Sequence, residues 1–307
     1  MAKIPVWIDS DCGIDDAAAL MVACKLDNIE ILGVSAVNGN TSIDNAFNNV
    51  RNVLSLLSRA DIKVYKGASK PLVTDYMEGD FHGKNGIGDV ELQKSNAPIE
   101  TENVSDAIYE AAKKCGQMTI CTLGPLTNIA TTIAKHPDFV DYVKEINMMG
   151  GSLIGGNVTS AAEFNVYYDA QAAENVFKSG IHVNMFGLDA TTKTGLDEEL
   201  ITKLSSHNNV ASDLFGKTIR CLVNSAKKEN FKACLHDVCP ILYLKYPEIF
   251  EGKDCGIYVE TQGTITYGKS VADLWTDTKY EDRHCTAFID MDVDKFMNVV
   301  DEMLGSY

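Results

Sequence analysis

Long apolar runs are missing from this chain, and that is the first constraint on it. No uninterrupted apolar stretch reaches the roughly 18–20 residues of a membrane span. The opening residues MAKIPVWIDSD lack the apolar core of a secretory leader. Basic residues are scarce: 27 Lys and Arg face 43 Asp and Glu, a formal charge of −16. Such an acidic protein repels a phosphate backbone, which argues against nucleic acid as a partner. Zinc-type cysteine spacing is absent too. The nine cysteines are odd in number, Cys234 and Cys239 do not form a C-x2-C pair, and most lie in apolar runs. They read as reduced interior thiols of a cytoplasmic protein. No internal repeat, low-complexity tract or linker interrupts the chain, which predicts one domain over 1–307.

What is present is a strand–helix alternation. Strand-like runs fall at 4–9, 30–37, 62–65, 118–122, 143–149 and 183–186, and helical patterning at 14–26, 43–57, 104–114, 126–135 and 170–178. This order predicts an α/β fold, with a mainly parallel open sheet covered by helices. Near the end, 256–267 and 286–290 read as antiparallel additions and 293–304 as a closing helix. Several strands run into polar or glycine-rich turns, and ligands of open α/β sheets bind at the carboxyl ends of strands. The Gly- and Asp-rich segment 71–97 reads as a lid or pocket wall.

The densest chemical signal is Asp9-Ser10-Asp11-Cys12-Gly13-Ile14-Asp15-Asp16, four carboxylates in eight residues where a strand meets a helix. Repulsion among them requires compensation. One or two acids serve as helix caps, but four exceed that need. An all-oxygen donor set points to a hard cation, Ca²⁺ or Mg²⁺. Asp-x-Asp-x-Gly also resembles the start of an EF-hand loop, without its ligand at the twelfth position or its preceding helix. The strand-then-Asp-x-Asp order resembles the Mg²⁺-dependent haloacid-dehalogenase phosphatases, whose motif has Thr or Val where this chain has Gly13.

Taken with the rest of the chain, the cluster resembles the signature of the inosine-uridine-preferring nucleoside hydrolases. Gly39-Asn40, His82-Gly83-x-x-Gly86-x-Gly88 and Gly124-Pro125-Leu126-Thr127-Asn128 match that family in order. So do Met149-Gly150-Gly151, Gly156-Asn157, Ala162-Glu163-Phe164-Asn165, His236-Asp237, Val271-Ala272-Asp273 and Asp292-x-Asp294-Lys295-Phe296. The resemblance implies the family's Rossmann-like fold. It also implies Ca²⁺-dependent hydrolysis of the N-glycosidic bond of a ribonucleoside, by a homodimer or homotetramer. An oxocarbenium-like sugar must be stabilised, water must attack opposite the base, and the base must be helped to leave. In the family the metal orients the ribose diol and polarises that water.

By the same resemblance Asp11 is both metal ligand and general base, and Asp16, Asp237 and the Leu123 carbonyl complete the metal set. Asp15, Asn40, Asn157, Glu163 and Asn165 would hold the ribose. Met149 would pack on the sugar ring, His82 would line the base pocket, and His236 would protonate or orient the leaving base. Asp9 would support the ligands. Two departures stand out. Cys12 replaces the usual Pro, and Arg220 and Asn224 fall near tyrosines of purine-tolerant members, which suggests pyrimidine preference. Besides the phosphatase, the remaining alternative is a non-catalytic nucleoside- or calcium-binding protein.

Overall fold

A computed structural model describes residues 2–75, 81–274 and 284–307. Its strands are β1 (Ile4–Ser10), β2 (Ile29–Ala36), β3 (Val64–Lys66), β4 (Met118–Thr122), β5 (Val143–Met149), β6 (Val183–Phe186), β7 (Phe250–Val259), β8 (Ser270–Asp273) and β9 (Cys285–Met291). They form a nine-stranded sheet in the order β3-β2-β1-β4-β5-β6-β9-β7-β8. Neighbours from β3 through β9 pair in parallel, whereas β7 runs antiparallel to both β9 and β8.

The helices are α1 (Ile14–Ala23), α2 (Ile43–Leu56), α3 (Val104–Cys115), α4 (Thr127–Lys135), α5 (Phe164–Tyr168), α6 (Ala170–Phe177), α7 (Leu188–Thr191), α8 (Glu198–Leu204), α9 (Val210–Lys228), α10 (Val238–Tyr243) and α11 (Val293–Gly305). The two-residue period of β1 divides the core. Val6 and Ile8 pack with residues of α1, α2, α9, α10 and α11, while Trp7 packs with α3, α4 and α6. Every residue of α1 is buried, so this helix is an inner element and shows little amphipathic contrast. By contrast α3 is amphipathic, capped by the Asn103 side chain at its start and by Gly116, φ 77°, at its end.

The expected strand at 256–267 is corrected. β7 starts at Phe250 and stops at Val259. The Glu260 carboxylate then accepts the amides of Gln262 and Gly263, and Gly268 N–H returns to Glu260 O at 2.7 Å. The apparent alternation therefore spans a turn that leads into β8. The segment 71–97 carries no helix or strand among its described residues; 76–80 lie outside them. No helix of the described residues is long and apolar enough to cross a membrane.

Candidate active site

Site residues gather where strands end. Asp11 follows β1, Asn40 follows β2, Leu123 follows β4, and Met149 closes β5. Between β1 and α1 the chain reverses sharply, and Cys12 takes φ 34°. A proline ring cannot adopt that angle, and the Cys12 amide also donates to Ser10 Oγ at 3.1 Å. Asp16 folds back as a cap: Oδ2 accepts the Gly13 amide at 2.8 Å, and Oδ1 accepts Ser10 Oγ–H at 2.6 Å. Asp11 Oδ2 accepts the Asn40 amide at 2.7 Å, and Oδ1 accepts Asn40 Nδ2 at 3.2 Å. Gly39 and Gly124 back onto this carboxylate; a Cβ at Gly124 would lie 2.8 Å from Asp11 Cγ. That close approach explains why both turns need glycine.

Asp11, Asp15, Asp16 and Asp237 are all buried, and they act on one another. Burial first, then the Asp16 charge, lifts Asp11 well above the usual carboxylate range. Asp237 is raised by burial and then by Asp15, Asp16 and Asp11. Burial and Asp16 push Asp15 up to about 7. Burial likewise pushes Asp9 up to about 7, against the lowering effect of its Asn128 and Ser35 hydrogen bonds.

Carboxylate oxygens of Asp15, Asp16 and Asp237 lie within 4.8 Å of one another. Mutually repelling buried oxygens of this kind fit a hard divalent cation. The membership differs from the sequence expectation: Asp15, expected on the ribose, joins Asp16 and Asp237, while Asp11 is held by Asn40. Adjacent positions in the first turn of α1 bring both Asp15 and Asp16 to Asp237, which precedes α10. The Leu123 carbonyl points inward and accepts Asn165 Nδ2 at 2.9 Å.

Asn165 Nδ2 also reaches the Met149 carbonyl at 3.2 Å and Met149 Sδ at 3.4 Å. Glu163 accepts the amides of Gly151, Asn165 and Val166 and so caps α5. Burial overrides these bonds and pushes its carboxyl up to about 7. Asn157 is exposed, and its Oδ1 takes the Phe164 amide at 2.9 Å. Its observed work is thus at the start of α5, beside Glu163.

His82, from the 71–97 segment, is buried; its Nδ1 accepts the Ile14 amide at 3.0 Å and lies 4.0 Å from Asp15 Oδ1. His236 Nδ1 lies 2.7 Å from Thr191 Oγ1. Burial lowers both imidazoles to about 4, and His236 also feels the charge of His82. Arg220 and Asn224 are exposed on α9. Their neighbour Cys221 meets the 82–88 loop, where a Cβ at Gly88 would lie 3.1 Å from Cys221 Cβ. Thr191, Ser10 and Asn49, which donates to the Cys12 carbonyl at 3.3 Å, are contributors that sequence reasoning missed. Single hydroxyls and amides carry no pattern, and each acts across a turn or between elements. A separate surface cleft of about 810 Å³, lined by Leu153, Asp189, Lys193 and Lys269 among others, contains none of Asp11, Asp15, Asp16 and Asp237.

Residues 6–298 match the family model described as inosine-uridine preferring nucleoside hydrolase. The chain is 34% identical over 309 residues to the pyrimidine-specific ribonucleoside hydrolase RihA of Salmonella schwarzengrund, covering 99% of each. Its fold is similar to that of a plant nucleoside hydrolase, PpNRh1, with a TM-score of 0.93, 24% identity and 99% of each chain covered. It is also similar to a purine-preferring ribonucleoside hydrolase from Gardnerella vaginalis, with a TM-score of 0.91 and 28% identity over 99% of this chain and 100% of that one.

Proposed function

Because the chain belongs to the inosine-uridine preferring nucleoside hydrolases and is an N-glycosyl hydrolase, we propose that it cleaves pyrimidine ribonucleosides in preference to purine ones, with Ca²⁺ bound. The observation that carries the reading is the meeting of Asp15, Asp16 and Asp237 at the carboxyl ends of the strands, with Asp11 beside them. The phosphatase alternative falls with the family assignment.

Asp15, Asp16, Asp237 and the Leu123 carbonyl would hold the cation, with Asp11 as a further ligand. Bound there, a divalent cation would grip the ribose hydroxyls and acidify a water. The protein does the rest. Asp11 takes the proton of the water that adds to the anomeric carbon. Glu163, Asn165 and Asn40 offer donors and acceptors to the ribose hydroxyls, Asn157 supports α5, and Met149 packs beneath the sugar. As the C–N bond breaks, its electron pair leaves with the base, and neutral His236 orients that base and donates a hydrogen bond to it. His82 lines the base side.

Pyrimidine preference is supported by the pyrimidine-specific relative and by the exposed polar pair Arg220 and Asn224. One domain over 1–307 is supported by the nine-stranded sheet and the 6–298 match. The cysteines, most of them buried, support a cytoplasmic location. Assembly as a homodimer or homotetramer belongs to the same reading, and light scattering tests it. The test of function is release of reducing sugar from uridine, cytidine and inosine with Ca²⁺ present. A kcat/KM for uridine at least about tenfold above that for inosine, roughly 1.4 kcal/mol in the transition state, is expected. Equal values remove the preference. Tight nucleoside binding without ribose release makes the protein a binder instead.

A further inference from the structure

Three threonines lie close together after β6, and they behave differently. Thr192 Oγ1 donates to the Leu188 carbonyl at 2.6 Å, and Thr194 Oγ1 donates to the Thr191 carbonyl at 2.7 Å. Thr191 Oγ1 takes no such backbone acceptor among the described residues. It is fully buried and lies 2.7 Å from His236 Nδ1. A buried hydroxyl proton needs an acceptor, and His236 Nδ1 is the one within reach.

The surrounding backbone keeps the two groups in register. The Leu235 amide donates to Thr194 Oγ1 at 2.9 Å, and the Leu196 amide donates to the Ala233 carbonyl at 2.8 Å. The segment before His236 is therefore laced to the segment after Thr191. His82 offers an internal comparison. Its Nδ1 accepts the Ile14 backbone amide, which can only donate, so the proton of neutral His82 sits on Nε2.

From this arrangement we infer that Thr191 is a positioning residue: its hydroxyl donates to His236 Nδ1 and so fixes the neutral ring with its proton on Nε2, leaving that N–H as the ring's donor for the leaving base. The inference rests on the assignment of His236 to leaving-group assistance. An imidazole held in the other tautomer would present a lone pair to the departing base and could not donate to it. In this role Thr191 acts only through the imidazole.

Two measurements test this on the full-length protein. Nitrogen-15 chemical shifts of the histidines, with His236 identified by its loss in His236→Gln, report the tautomer directly. Wild type should show a protonated Nε2, and Thr191→Val should show a mixture. A protonated Nδ1 in wild type overturns the inference, whether or not any nucleoside is hydrolysed. In the kinetic arm, Thr191→Val should lower kcat for uridine about 10- to 100-fold, the usual cost of losing an orienting partner. It should change KM for uridine and kcat for nitrophenyl riboside by less than about threefold, because an activated leaving group needs no donor. Thr191→Ser keeps the hydroxyl and should restore most of the uridine rate. Equal losses on both substrates, or serine no better than valine, would mark Thr191 as merely structural. If neither substrate is turned over by wild type, the functional reading fails while the tautomer result still decides the inference.

Discussion

Cys12 shows how one side chain departs from its family while its surroundings hold. The sequence comparison marks it only as a missing proline. At φ 34° and with its amide bound to Ser10 Oγ, the residue occupies a conformation from which proline is barred twice. Cys12→Pro should therefore destabilise the protein by about 3 kcal/mol, read as a lower midpoint of urea unfolding; an unchanged midpoint would mean that the turn relaxes freely.

Glu163 carries a pH prediction. An unfolded glutamate titrates near ~4.3, while burial pushes this one up to about 7. Between those values the folded state keeps a proton that the unfolded chain has released, so stability falls as pH rises. Glu163→Gln cannot titrate, and its melting temperature should decline less steeply across that window than that of wild type. The other buried carboxylates contribute alike to both proteins. Parallel curves would show that Glu163 is ionised throughout. The sequence motif names Glu163 as a ribose-binding candidate, but its raised pKa arises from burial, which no local pattern encodes.

The element that best rewards dissection is α4, through Asn128 in its first turn. Nδ2 donates to Asp9 Oδ1 at 2.8 Å and to the Ala36 carbonyl at 3.1 Å, and Oδ1 accepts the Ala68 amide at 2.8 Å. One amide thus ties a helix to the ends of β1, β2 and β3. Asn128→Ala would strand two buried partners and one half-buried one, and a loss of about 3 kcal/mol is expected, measured by equilibrium unfolding. A loss below about 1 kcal/mol would imply that water replaces the amide.

Elements differ in how legible they are. β4, β5 and β6 match their expected bounds because they are short, apolar and flanked by turn residues. α9 escaped sequence reading although it has 19 residues. Its buried stripe includes Ser212 and Thr218 between Leu214, Phe215, Ile219 and Leu222, so the apolar period is diluted. α7 and α10 are too short to show a period at all, and they are what bring Thr191 and Asp237 to the site.

Across the whole molecule, the acidic centre links cation binding to stability. Buried carboxylates that repel each other weaken the folded state, and a cation that binds only there stabilises it by mass action. Saturating Ca²⁺ should raise the melting temperature by several degrees, and Asp237→Asn should abolish most of that rise. A cation-independent melting curve for wild type would remove the metal site. The parallel half of the sheet and its ligand-bearing ends follow from alternation and turn chemistry; the meeting of Asp15 and Asp16 with Asp237, more than 200 residues away, is a property of topology alone.

That topology has a further consequence for biosynthesis. β9 is the last strand to leave the ribosome, yet it lies between β6 and β7. Until it emerges, a nascent polypeptide carries two open sheet edges that have no native partner to pair with. The hairpin of β7 and β8 must wait as a tethered fragment, exposed to mispairing with other unfinished chains. Emergence of β9, followed by insertion of that one strand, joins the two portions into a continuous sheet.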